Sequence, residues 1–195
     1  MIIKIHWCLI IFIVYLIFIN GLKYFFLFYV FVIIHELAHI LLAKILNIKI
    51  KEIVFLSVGV NAQYENTNIN KEFWVACAGP IASFFLAIFF ENSIYSAINT
   101  VILITNIMPI YPLDGGRIIR ILIIKIFGYK KGVNLYGTIL KYLICLLTIV
   151  TVICTVYFKN YFMLIFMLYI FILANREIKK EKIKLLINEL IGIHL

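Results

Sequence analysis

Charge is what this sequence lacks: only 14% of its 195 residues are Asp, Glu, Lys or Arg, while 65% are hydrophobic. An ordinary soluble domain carries about 25% charged and about 45–50% apolar residues, so that class is excluded. Mean hydropathy is +1.11, and apolar runs recur from one end to the other, which predicts one integral membrane domain rather than a soluble domain with an anchor. Cysteine is also scarce. The four present (Cys8, Cys77, Cys145, Cys154) lie within apolar runs with no ligand-like spacing, so neither a disulfide framework nor a cysteine metal site is expected and free buried thiols are the reading. No small-residue cleavage site follows the first twenty residues, which predicts a retained first span rather than a signal peptide. No internal repeat or low-complexity linker breaks the chain. Aspartate is present only once, as Asp114.

At about 20 residues per span, the apolar runs predict an all-α polytopic membrane protein with about six transmembrane helices. They fall roughly at 5–22, 24–45, 73–90, 93–112, 133–158 and 160–175. Residues 1–175 then form one six-span domain and 176–195 a basic cytoplasmic tail that reads as an amphipathic helix. Basic residues set the orientation. One side collects Lys4, Lys44, Lys49, Lys51, Lys71, Arg117, Arg120, Lys125, Lys130, Lys131 and the cluster from Arg176 to Lys184; the other holds Lys23 and Lys159. The asymmetry predicts that both termini are cytoplasmic. The net charge of +9 reflects orientation and contact with anionic lipid, and calls for no nucleic acid.

The stretch VIIHELAHILLAK (32–44) sets Glu36 inside an apolar run, where a carboxylate costs roughly 2.5–3.5 kcal/mol at the centre of a membrane helix. His35 and His39 are four apart, hence on one helical face, where both can grip a single metal ion. Glu36 lies beside that face, placed to take a proton from water. Imidazole ligands suit zinc, and three protein ligands leave one position open for chemistry. Chance placement of four histidines and eight glutamates would produce this pentad on the order of 0.003 times per chain.

A third ligand is needed, and Asp114 in NIMPIYPLDGGRI (106–118) is the candidate. The charge count brings it to the cytoplasmic side. The second span runs the same way, with His39 about 7–8 Å of helix from Lys44. The plainer alternative is a turn in which Asp114 caps the following helix.

These residues resemble the site-2 protease family of intramembrane zinc metalloproteases, peptidase family M50. HELAH is similar to its HExxH helix, and Asn106-x-x-Pro109-x-x-Pro112-Leu113-Asp114-Gly115 to its second signature. Ala78-Gly79-Pro80 resembles the small-residue and proline segment between them. The layout is most similar to the stage IV sporulation protein FB branch, whose members cleave a membrane-associated sigma-factor precursor; the CBS domain frequent there is not expected from the residues after the last span. The resemblance implies one zinc ion on His35, His39 and Asp114, Glu36 as general base, and hydrolysis of a peptide bond in or near a substrate's membrane segment. It implies a membrane-associated protein substrate and regulatory or inhibitory membrane proteins as partners, besides lipid. The setting would be a bacterial cell membrane or a sporulation-associated membrane. It also implies substrate contacts for Asn106 and Pro109, although helix–helix hydrogen bonding serves Asn106 equally well. KIKEIVFLSVGVNAQY (49–64) partly alternates and reads as a membrane-associated strand or hairpin after the second helix, with an edge able to pair with an unwound substrate. Gly79 and Ser83, spaced small-xxx-small, are expected to serve helix packing. The reading from a different class is a membrane zinc carrier or scaffold without hydrolysis.

Overall fold

The structure, a computed structural model, describes residues 2–5, 22–56, 59–64, 68–111, 113–159, 168, 171–176, 178–181 and 183. Most of the first and last expected spans, with His6, Cys8, Pro112 and His194, lie outside these residues. The chain divides into two compact units, Met1–Asn106 and Ile107–Leu195.

In the first unit, strand β1 (Ile2–Ile5) precedes helix α1 (Leu22–Ile45), strands β2 (Ile50–Leu56) and β3 (Gly59–Tyr64), helix α2 (Ile69–Phe89) and helix α3 (Ile94–Ile107). Helix α1 stops at Asn47, which takes a left-handed φ of 55°. That turn lets the Ile48 N–H reach the Ala43 carbonyl at 2.8 Å, the Schellman closure that satisfies last-turn carbonyls. Lys71 Nζ donates to the Leu46 carbonyl at 2.9 Å, so the start of α2 is tied to the end of α1. Helix α2 begins at Asn68, whose side chain accepts from the Asn70 N–H at 2.9 Å. Proline at position 80, inside α2, removes one backbone donor; membrane helices tolerate this where neighbours absorb the freed carbonyl.

The strands form one sheet in the order β1-β2-β3, with β1 parallel and β3 antiparallel to β2. The pairing of Ile3 with Ile53 and Lys4 with Val54 makes residues 2–5 strand, so the expected first span does not begin at residue 5 as a helix. β3 lies against α1. Buried Phe31, Val32 and Ile102 bind α1 to α3, while Ala43, Ile48 and Val75 bind α1 to α2.

The second unit holds α4 (Asp114–Phe127), α5 (Tyr129–Phe158) and helical residues at 171–176 and 178–181. One residue, Gly128, separates α4 from α5 at φ 78° and ψ 163°, a conformation reached essentially by glycine. Ile110, Tyr136, Leu140, Ile144 and Ala174 form the core, with Ile178 packed against it. Ile178, in the segment expected as a basic amphipathic tail, packs against this core.

Three described helices are long and apolar enough to cross a membrane: Phe25–Ile45, Ile69–Phe89 and Tyr129–Tyr157. Large side chains such as Phe26, Phe89, Tyr142 and Val156 are exposed, which suits lipid and not water. Hydroxyls in α5 turn inward on their own helix: Thr148, Thr151 and Thr155 each donate to the carbonyl four residues back, at 2.7–2.8 Å, because lipid offers no partner. Helix α3 is shorter than expected. It ends at Ile107 after 14 residues, about 21 Å, because Pro109 follows and residues before proline avoid the helical region. The chain is an integral membrane protein.

Candidate metal centre

His35 and His39 sit one turn apart on α1 and are both buried, with ring centroids 5.0 Å apart. Their Nε2 atoms stand 3.3 Å from each other. The other ring nitrogens are both engaged by α2. His39 Nδ1 lies 2.6 Å from the Val75 carbonyl; a carbonyl only accepts, so Nδ1–H donates and Nε2 of the neutral ring carries the lone pair. His35 Nδ1 lies 2.8 Å from Ser83 Oγ, a hydroxyl able to accept in the same sense. With Ser83 accepting in that sense, the two Nε2 lone pairs face each other at a separation that a shared cation would bridge. Two nitrogens bound to zinc at ~2.0–2.1 Å with a tetrahedral angle stand ~3.3–3.4 Å apart, which is the separation seen. The donor set therefore fits zinc.

Helix α2 does more than pack. Val75, Gly79 and Ser83 repeat every four residues along one stripe. The first and last hold the imidazoles, and a Cβ added at Gly79 would strike Nε2 of both His39 and His35. Glycine at 79 keeps clear the space that a shared metal needs. Close helix packing, the role expected for Gly79 and Ser83, is thus only part of what they do. The signal was there in the sequence, since zinc-bound histidines almost always donate their second nitrogen to a polar partner and Ser83 is a lone hydroxyl in an apolar run. Replacing Ser83 by Ala is expected to weaken zinc affinity ~10–100-fold, read by chelator competition; unchanged affinity would remove Ser83 from the metal's support.

Asp114 opens α4. The N-cap is Leu113, with no side-chain cap hydrogen bond, so the capping alternative does not describe Asp114. It is buried, and Arg117 Nη1 approaches its Oδ1 only to 3.9 Å, beyond hydrogen-bond reach. Gly115 and Gly116 follow because the loop before α4 folds back onto its first turn: a Cβ at 115 would meet the Ile107 and Met108 carbonyls, and one at 116 the Ile110 backbone. The glycine pair is a device for that fold-back, immediately behind Asp114. His35, His39 and Asp114, all buried, each offer one ligand atom, and these atoms lie within 4.8 Å of one another. The three can hold a zinc ion.

The other candidates are less engaged. Glu36 follows His35 on α1 and is half-buried. Asn106 is half-buried and its Nδ2 donates to the Ile102 carbonyl at 2.9 Å, within its own helix. Pro109 is half-buried in the loop leading to Asp114. Cys77, Cys145 and Cys154 form no disulfide, and they are not the buried thiols expected: Cys145 is exposed and the other two are half-buried, on helix faces turned outward in part.

An HExxH helix in a membrane span, its imidazoles oriented by a neighbouring span and a buried aspartate within reach, defines a membrane-embedded zinc metalloprotein. The profile of peptidase family M50 matches residues 23–94. A zinc metalloprotease of Methanocaldococcus jannaschii is 33% identical over 132 residues, covering 60% of this chain and 39% of that protein. Stage IV sporulation protein FB of Bacillus subtilis is 30% identical over 116 residues, covering 52% of this chain and 40% of that protein. This chain thus aligns with about two fifths of each curated relative's length. A solved site-2 protease from Methanocaldococcus jannaschii superposes with a TM-score of 0.69 at 27% identity, covering 90% of this chain and 89% of that one. Over residues 23–94 the chain is thus similar to peptidase family M50, and its fold is similar to that of a site-2 protease.

Proposed function

We propose that this protein is an intramembrane zinc endopeptidase that hydrolyses a peptide bond in or near the membrane segment of a membrane-associated protein. His35, His39 and Asp114 hold the ion and Glu36 is the general base. The observation that carries the reading is the pair of oriented Nε2 atoms 3.3 Å apart with a buried carboxylate in ligand range. Bound zinc supplies Lewis acidity, lowering the pKa of water towards ~7 and polarising a carbonyl. The Val75 carbonyl keeps His39 in the ligating tautomer, and Ser83, accepting from Nδ1, supports the same tautomer of His35. Glu36 accepts the proton of the attacking water and returns it to the departing amine nitrogen, a transfer that needs a base within hydrogen-bond reach.

A helical substrate hides its carbonyls in hydrogen bonds and must open locally before attack. β3 is an outer strand of the described sheet, and its edge suits pairing with an opened segment by strand addition. Asn106 and Pro109 stand on the approach to Asp114 as substrate contacts. Likeness to a sporulation protein supports a sporulation sigma-factor precursor as substrate, a bacterial membrane as the setting and inhibitory membrane proteins as regulators. The charge asymmetry supports cytoplasmic termini. The competing reading, a zinc carrier or scaffold, leaves Glu36 without a task.

The test is cleavage of a membrane substrate by protein reconstituted in vesicles. Chelation is expected to abolish cleavage and zinc to restore it. Asp114→Asn is expected to lose zinc to chelator at least ~10-fold faster than the parent, by removal of a charged ligand. Zinc flux without cleavage of any membrane substrate would establish the carrier.

A further inference from the structure

Glu181 is a buried carboxylate for which the metal chemistry has no use. It is 5% exposed, its Oε1 lies 2.8 Å from Arg120 Nη1, and its Oε2 accepts from the Tyr129 hydroxyl at 3.3 Å. The segment around it reads IKKEK: Lys179 and Lys180 are exposed, whereas Glu181 is turned inward beside Ile178, which packs on the core of this unit. Burying an ion pair costs desolvation on both sides and is weak evidence of added stability; fixing one arrangement among several is its better-attested use.

What it fixes here is α4. That helix touches α5 closely where a Cβ on Gly132 would meet the Ile124 Cα at 2.6 Å. Ile119 and Ile123 also pack against the core of this unit, but apolar contacts are non-directional. The Arg120–Glu181 pair adds a directional tie on the same helix, six residues from Asp114, or about 9 Å along the axis. Such a tie fixes the helix angle that packing alone leaves loose, and a metal ligand must be held within ~0.5 Å of its productive place.

We propose that Glu181 is a positioning residue: through Arg120 it sets the angle at which α4 presents Asp114 to the metal. The inference rests on the reading of Asp114 as a ligand.

The experiment uses the full chain in detergent with cobalt(II) in place of zinc, because cobalt's visible bands report ligand geometry and need no turnover. Glu181→Gln is expected to alter those bands and to speed metal loss to chelator ~10-fold, the lower end for supporting groups. The exchange Arg120→Glu with Glu181→Arg is expected to restore both. Bands and metal loss unchanged in Glu181→Gln, with both changed in Asp114→Asn, would overturn the proposal alone. Both unchanged in Asp114→Asn would overturn it together with the ligand reading beneath it. Where Glu181→Gln gives no folded protein, Tyr129→Phe, which removes the second partner of the same carboxylate, is expected to shift the bands in the same direction; no shift would overturn the proposal.

Discussion

Glu36→Gln is expected to keep its zinc and to lose ~10²–10⁴-fold of its hydrolytic rate, the range a positioned general base contributes. The amide matches the carboxylate in size and still hydrogen-bonds, but it cannot take a proton from water. The imidazoles are oriented from α2, by Val75 and Ser83, so metal content should survive the change. Zinc stoichiometry measured beside cleavage of a co-expressed membrane substrate separates the two effects. Cleavage at the parental rate would leave Glu36 without its assigned role.

Gly79→Ala is expected to do the reverse and abolish metal binding outright. The new methyl would overlap Nε2 of both histidines, and neither ring can turn aside. His39 is held by the Val75 carbonyl at 2.6 Å and His35 by Ser83 at 2.8 Å. The helices would have to part, which overpacking makes costly at roughly 1–3 kcal/mol, and parting would break both hydrogen bonds. Gly137→Ala is the control, since its Cβ would meet only Ile178 Cγ2 at an ordinary 3.6 Å; zinc content should be unchanged. Stoichiometric zinc in the Gly79→Ala protein would show that the stripe on α2 leaves more room than its geometry states.

The two substitutions probe different links of one chain of causes. Glu36 can be changed without disturbing the cradle, because it lies beside the ligating face. Gly79 cannot, because it has no side chain to give up and its backbone is what the imidazoles abut. Loss of activity with zinc retained in the first, and loss of zinc in the second, would assign chemistry to α1 and the shape of the metal space to α2.

Local regularities were legible in the sequence. The i, i+4 spacing of His35 and His39 follows from helical pitch alone, and apolar runs long enough for a bilayer announce α1, α2 and α5 from composition. A single aspartate in 195 residues made Asp114 conspicuous, and the glycines behind it marked a tight fold-back. Contacts made at a distance were not legible. Small-xxx-small spacing looks the same whether it serves bare packing or clears space for an ion, so the role of Gly79 depended on which face of α2 meets α1. Residues 2–5 are four apolar or basic residues that any helix would accept, until β2 offers them a parallel partner. Glu181 sits among lysines as a surface residue would, until Arg120 is brought to it. Helical period and hydropathy act within a few residues of chain and can be read there, whereas which faces meet is decided only when the whole chain buries its surface together.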